Sequence, residues 1–148
     1  MPETDSGDRL YADLVLDSNL ASVDRGEVVA MEAARKLGYD SDTQQDIGIA
    51  VRESLVNAVA HGNRYNSRNK VRLRVWIGSS GLIVEVEDQG RGFDPDVVPD
   101  PLNGDHVMRH SGRGLMMIRA YMDELEYGRN EPEGTRIRMV KYPPKPAG

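Results

Sequence analysis

Apolar and polar positions change period several times along the chain, and each change marks an element. Apolar residues alternate loosely from Tyr11 to Leu16, as in an edge strand. Val23, Ala30, Ala33, Ala34 and Leu37 then recur at helical spacing. The first helix therefore runs from a cap at Asp17 or Ser18 to Leu37, with Gly38 as its stop. Ser41 followed by Gln44 has the form of a capping box and opens a second helix to about His61, ended by Gly62-Asn63. Its apolar stripe is Ile47, Ala50, Val51, Ser54, Leu55 and Ala58. A period of two takes over from Val71 to Ile77, turns at Gly78-Ser79-Ser80-Gly81 and resumes from Leu82 to Asp88. Asp94 to Ser111 carries three prolines, Gly104 and two histidines without any period, which reads as a long loop. A third helix begins at Gly112 with Leu115, Ile118, Met122 and Leu125 on one face. A short strand near Glu124–Tyr127, a turn over Gly128–Gly134 and a last strand from Thr135 to Val140 complete the pattern. The tail from Pro143 reads as a polyproline-like end, and the first eight residues as a frayed terminus. The class predicted is α+β, an antiparallel-rich sheet with helices on one face.

Composition narrows the chemistry. At 148 residues the chain suits one domain, and 39% hydrophobic residues suffice for its core. The absence of cysteine excludes a disulfide framework and any cysteine-ligated metal centre. No run approaches the about 18 apolar residues of a membrane span, and no signal-peptide pattern follows Met1, so a cytoplasmic protein without membrane association is predicted. A net charge of −5 argues against direct nucleic-acid binding. That charge is uneven: residues 1–24 hold six acids and one base, and the rest balances. This acidic segment is either a partner surface or a solvated end. Asp94 to Asp105 has four acids and no base, whereas His106 to Arg113 has two arginines, two histidines and no acid. Five of the fifteen glycines, at 90, 92, 104, 112 and 114, fall within 25 residues, with the only phenylalanine, Phe93, among them.

Four places have chemical potential. On the second helix, Glu53 and Asn57 are i,i+4 neighbours flanking the apolar stripe. They are either a solvated pair at the core rim, or an oxygen ligand for Mg²⁺ (Asn57) beside a general base (Glu53). His61 and Asn63 lie at that helix's end, where capping alone accounts for them. On the second central strand, Leu82, Val84 and Val86 face inward, which makes Asp88 the next inward residue. It is either a strand-ending Asp in a glycine turn or an acceptor at the base of an apolar pocket, suited to the amino group of adenine. Gly90 and Gly92 allow the backbone there to approach a ligand closely. Ser111-Gly112-Arg113-Gly114-Leu115 opens a helix, where N–H groups and the dipole favour an anion and Arg113 adds charge. Thr135, at the start of the last strand, is explained by strand propensity alone.

In order and spacing these elements are specific. Glu53-x-x-x-Asn57-Ala58, Asp88-x-Gly90-x-Gly92-Phe93, Gly112-x-Gly114-Leu115 and Gly134-Thr135 resemble the N, G1 and G2 boxes and closing threonine of the GHKL ATPase/kinase superfamily. The short chain, Ala58-x-x-His61-Gly62 and Gly112-Arg113-Gly114-Leu115 resemble its anti-sigma-factor serine/threonine kinases. The resemblance spans about residues 8–142. It implies a Bergerat-type two-layer α/β sandwich, a mixed, mostly antiparallel sheet covered on one face by helices, with a flexible ATP lid at about 94–111. It further implies that Asn57 coordinates Mg²⁺ and Glu53 activates the attacking hydroxyl. Asp88 recognises adenine with support from Thr135, Gly90, Gly92 and Phe93 form the hinge, and Gly112, Arg113, Gly114 and Leu115 face the phosphates. No phosphoacceptor-histidine helix precedes these motifs, which disfavours a complete sensor histidine kinase.

The activity implied is transfer of the ATP γ-phosphoryl group to a serine or threonine of an anti-sigma-factor antagonist protein. Partner switching with a sigma factor accompanies it, and a homodimer is common among such kinases. A nucleotide-binding module that sequesters a partner without turnover is the alternative, and a nucleotide-free structural domain is a third.

Overall fold

The computed structural model describes residues 7–90, 106–130 and 133–145, and for 106–113 the backbone alone. The elements are β1 (Arg9–Asp17), α1 (Leu20–Leu37), α2 (Ser41–Val56), a π-helical turn (Asn57–Gly62), β2 (Lys70–Gly78), β3 (Gly81–Glu87), α3 (His106–Tyr121), β4 (Glu124–Arg129) and β5 (Thr135–Lys141). Among the described residues no helix is long and apolar enough to cross a membrane.

The strands form one sheet in the order β1-β2-β3-β5-β4, and all four pairings are antiparallel. The expected mixed, mostly antiparallel sheet is thus wholly antiparallel over these residues. The connection through α3 joins β3 and β4, which point the same way. β5 inserts between them, so the parallel pair that such a crossover often makes never hydrogen-bonds.

The period of two locates the core. Val71, Leu73, Val75 and Ile77 of β2 and Leu82, Val84 and Val86 of β3 face the helices and are buried. Val23, Ala30, Ala33 and Ala34 of α1 meet them together with the predicted stripe of α2, whose members Ile47, Ala50, Val51, Ser54 and Leu55 are all inaccessible. α1 packs on α2, and α3 packs on α2 and the π turn. On the opposite face, where alternation predicts solvent, Trp76, Ile83 and Val140 form a second small cluster with Leu10 against it. Beside it the Glu85 carboxylate is held by Arg74 at 2.8 Å and Arg138 at 2.9 Å.

Several boundaries shift for identifiable reasons. Asn19, not Asp17 or Ser18, caps α1 by accepting from Ser22 N. Asp17 is engaged with Lys70 at 2.7 Å, and Ser18 turns to Asn69 and Asn63. Asp40 rather than Ser41 caps α2, accepting from Thr43 N at 2.7 Å, while Gln44 donates to the Tyr39 carbonyl. The second helix reaches Gly62 as expected but widens to π geometry at Asn57. The third helix starts at His106, six residues before the expected Gly112, so the end of the expected loop is helical. No proline falls between Pro101 and Pro132 to stop it. It ends at Tyr121, because Asp123 N already bonds to Val140 O in the sheet. Leu125, expected on the helix, therefore lies in β4 opposite Met139.

The acidic segment is largely part of this body. Asp8, expected in the frayed end, is 1% exposed and accepts from Ser80 N. Asp13, Asp17 and Asp24 pair with Arg72, Lys70 and Arg52. The Arg72 and Lys70 partners hold the Asp13 and Asp17 carboxyls below the usual range. Residues 1–6, 91–105, 131–132 and 146–148 lie outside the described residues, and with them most of the expected lid and the end of the tail.

Candidate nucleotide site

Asp88 is the centre of the first half of the site. It follows the buried inward residues of β3 and is itself 6% exposed. Its Oδ1 accepts from Gly90 N and Thr135 N at 3.2 Å each, and its Oδ2 accepts from the Thr135 hydroxyl at 2.5 Å. A carboxylate offers about four acceptor positions, and three of them are filled among the described residues. Burial pushes its pKa up from 3.8 to about 6, against the opposing pull of the Thr135 and Gly90 hydrogen bonds. Thr135 thus stands beside Asp88 and bonds to it directly.

Glycines make room for this carboxylate. A Cβ on Gly62 would lie 2.2 Å from Asp88 Oδ2, and one on Gly90 would lie 1.9 Å from the Gly62 carbonyl oxygen. Gly134, at φ 121°, lies against the Asp88 backbone, where a Cβ would come within 2.3 Å of its carbonyl oxygen. Gly62 and Gly134 appear in the motifs of the sequence, but no role at the site follows from them there. Along the chain Gly62 reads as a helix stop and as part of the Ala58-x-x-His61-Gly62 motif, but its steric reason is a side chain 26 positions away. Gly62→Ala is expected to displace Asp88 and to destabilise the protein by about 1–3 kcal/mol, the usual range for overpacking. Urea unfolding checks this, and unchanged stability would show that the contact relaxes freely.

Glu53 and Asn57 form the second half. Both lie where α2 passes into the π turn, and wide turns of this kind recur at functional positions. Gly114 of α3 packs directly on them. A Cβ there would stand 3.2 Å from Glu53 Oε2 and 3.4 Å from Asn57 Nδ2. Asn57 is 3% exposed, and its Nδ2 has no hydrogen-bond partner among the described residues. A buried carboxamide with an unmet donor, next to a carboxylate, suits a site that is completed by a ligand. Its oxygen is a hard donor of the kind Mg²⁺ takes alongside phosphate and water oxygens. The residues present therefore fit that ion.

α3 alters one expectation. Gly112 and Gly114 are not at a helix start but inside the helix, so the dipole and unmet N–H groups of a helix N-terminus do not lie at these glycines. Leu115 is half-buried and packs on the main core. Gly92 and Phe93 lie outside the described residues, and for Arg113 only the helical backbone is described.

A family model described as a histidine kinase-like ATPase domain matches residues 16–141. The chain belongs to this ATPase family. Among the relatives of this ATPase domain, the serine-protein kinase RsbW of Bacillus velezensis is 33% identical over 116 residues, 74% of this chain and 71% of that one. RsbW of Bacillus subtilis is 31% identical with the same coverage. An anti-sigma F factor of a Thermoanaerobacter strain is 31% identical over 99 residues, covering 66% of this chain and 68% of its own. A crystal structure of RsbU and RsbW domains from Mycobacterium tuberculosis matches 92% of this chain and 34% of that one, with a TM-score of 0.62 at 21% identity. At that identity the likeness is one of fold.

Proposed function

We propose that the protein is an ATP-dependent serine/threonine kinase of the anti-sigma type, which phosphorylates a small antagonist protein and exchanges it with a sigma factor. The observation that carries this reading is the buried Asp88 carboxylate, collared by glycines, with one acceptor position unfilled among the described residues. The names of the relatives, serine-protein kinase and anti-sigma F factor, support the same reading.

In this reading Asp88 accepts a hydrogen bond from the amino group of adenine, and Thr135 holds the carboxylate in place. Gly90, Gly92 and Phe93 bring the chain close to the base. Gly112, Arg113 and Gly114 face the phosphates, the missing Cβ of Gly114 letting α3 approach Glu53 and Asn57 closely, while Leu115 anchors this turn of the helix to the core. Asn57 holds Mg²⁺, which when bound neutralises charge on the phosphates. Glu53 takes the proton of the attacking hydroxyl as its oxygen bonds to the γ-phosphorus and the bond to the β,γ-bridging oxygen breaks, releasing ADP. Positioning supplies most of the acceleration in such transfers. A homodimer is compatible with this scheme, and direct nucleic-acid contact has no part in it.

Incubating the protein with labelled ATP, Mg²⁺ and candidate antagonist proteins encoded nearby tests the proposal. Label on a serine or threonine of one of them is the expected result. Tight ATP binding with no transfer to any would turn the reading to a nucleotide-binding module that sequesters a partner. Failure to bind ATP would overturn both.

A further inference from the structure

Asn63 follows the π turn and is 2% exposed, yet end-capping accounts for only its backbone, whose N–H donates to Ala58 O at 2.8 Å. Its side chain makes three further bonds. Oδ1 accepts from Gln89 N at 2.9 Å, and Nδ2 donates to Ser18 Oγ at 2.9 Å and to Lys70 O at 3.0 Å. Gln89 is clasped a second time, its Oε1 accepting from Lys70 N at 2.5 Å. Ser18 in turn donates to Asn69 O at 2.6 Å. One carboxamide thus ties together the β1–α1 junction, the π turn, the start of β2 and the exit of β3.

We propose that Asn63 is the positioning residue of the base pocket: by fixing Gln89 it fixes the Asp88 carboxylate toward the adenine edge. The proposal rests on the nucleotide reading above. Gln89 lies between Asp88 and Gly90, and Gly90 N is one of the donors that orient Asp88 Oδ1. Releasing Gln89 releases that donor and loosens the contact of Gly90 with Gly62. The task needs an acceptor at one end of the side chain and donors at the other, which a carboxamide supplies and neither alanine nor aspartate does. The backbone agrees. Arg64 and Tyr65, immediately after Asn63, have φ of 52° and 59°, a conformation that side-chain-bearing residues hold only where their surroundings dictate it.

The test is titration of a fluorescent ATP analogue into wild type, Asn63→Ala and Ser18→Ala, with ATP and GTP as competitors, and the turnover rate at saturating ATP. For Asn63→Ala the expected result is a rise of about tenfold or more in the ATP Kd, a reduced preference for ATP over GTP, and a saturated rate within about twofold of wild type. A purely structural role would not single out the adenine preference. Ser18→Ala keeps the bonds from Asn63 to Gln89 and Lys70, and is expected to raise the Kd about two- to fivefold. It carries the test if Asn63→Ala does not fold. Unchanged ATP affinity and base preference in the folded variants, or a loss confined to turnover, would overturn the proposal. A wild type that binds no ATP overturns the nucleotide reading itself, which separates the two failures.

Discussion

Asp88→Asn is expected to abolish ATP binding while making the nucleotide-free protein harder to unfold. The loss follows from replacing an acceptor oxygen with an NH2 group, a donor that cannot accept from the amino group of adenine. The gain follows from burial. The Asp88 pKa is raised from 3.8 to about 6 in the folded protein. Below pH 4 the carboxyl is protonated in both folded and unfolded states, and its ionisation contributes nothing. Between pH 4 and 6 the unfolded chain loses the proton that the folded state keeps, so stability falls as pH rises. Above pH 6 the penalty is complete, at about 1–3 kcal/mol on the scale of 1.36 kcal/mol per pKa unit. Urea unfolding at pH 4 and pH 7.5 should therefore show wild type and variant close together at the lower pH and the variant ahead at the higher. Calorimetry should show no ATP binding by the variant. Ordinary affinity in the variant would remove Asp88 from the pocket, and a stability difference independent of pH would remove burial as the cause. Function and stability oppose each other here, a common feature of sites that hold a desolvated charge.

Glu53→Ala has the other large effect, a fall of about 10²–10⁴ in phosphotransfer, the usual contribution of a general base. Mg-ATP affinity is expected to stay within a factor of about three, because the variant leaves Asp88, Thr135 and Asn57 in place. Single-turnover transfer and nucleotide titration on the same preparation separate the two quantities. The neighbouring Gly114 makes the split informative. Its Cα edge packs on both Glu53 and Asn57, so a change that merely disturbed α3 would impair binding together with transfer. Turnover that survives unchanged would mean that Glu53 is not the base. A joint loss of affinity and rate would point to a packing role beneath α3.

Much of this architecture was legible along the chain because its periods are local. The alternation from Val71 to Ile77 and from Leu82 to Asp88 gave two adjacent strands with the correct inner face, and placed Asp88 at the inward end. The helical stripe of Ile47, Ala50, Val51, Ser54 and Leu55 is buried throughout. The motif residues were legible through their order, and the structure groups Glu53 and Asn57 with Gly114, and Asp88 and Gly90 with Thr135. The caps were less legible. Asp17, Ser18, Asn19, Asp40 and Ser41 are all competent N-caps, and at α1 the choice fell to Asn19 because Asp17 and Ser18 are engaged elsewhere. α3 starts six residues earlier than the pattern predicts because His106 to Ser111 has little apolar content, and two glycines at 112 and 114 resemble a helix start as much as a weak point within one.

What the sequence determined by itself is therefore the set of elements, the face each one buries and the chemical types available at the site, since these depend on neighbours within a turn or a strand. Tertiary structure decided the rest. It chose the antiparallel sheet by inserting β5 between β3 and β4, and it made Gly62 obligatory by placing the Asp88 carboxylate against it. It also turned Asn63 from a helix-end residue into the tie between four segments. Each of these outcomes depends on groups many residues apart meeting within a few ångströms, where excluded volume and unmet hydrogen bonds set the energy. No periodicity along a single segment encodes such meetings.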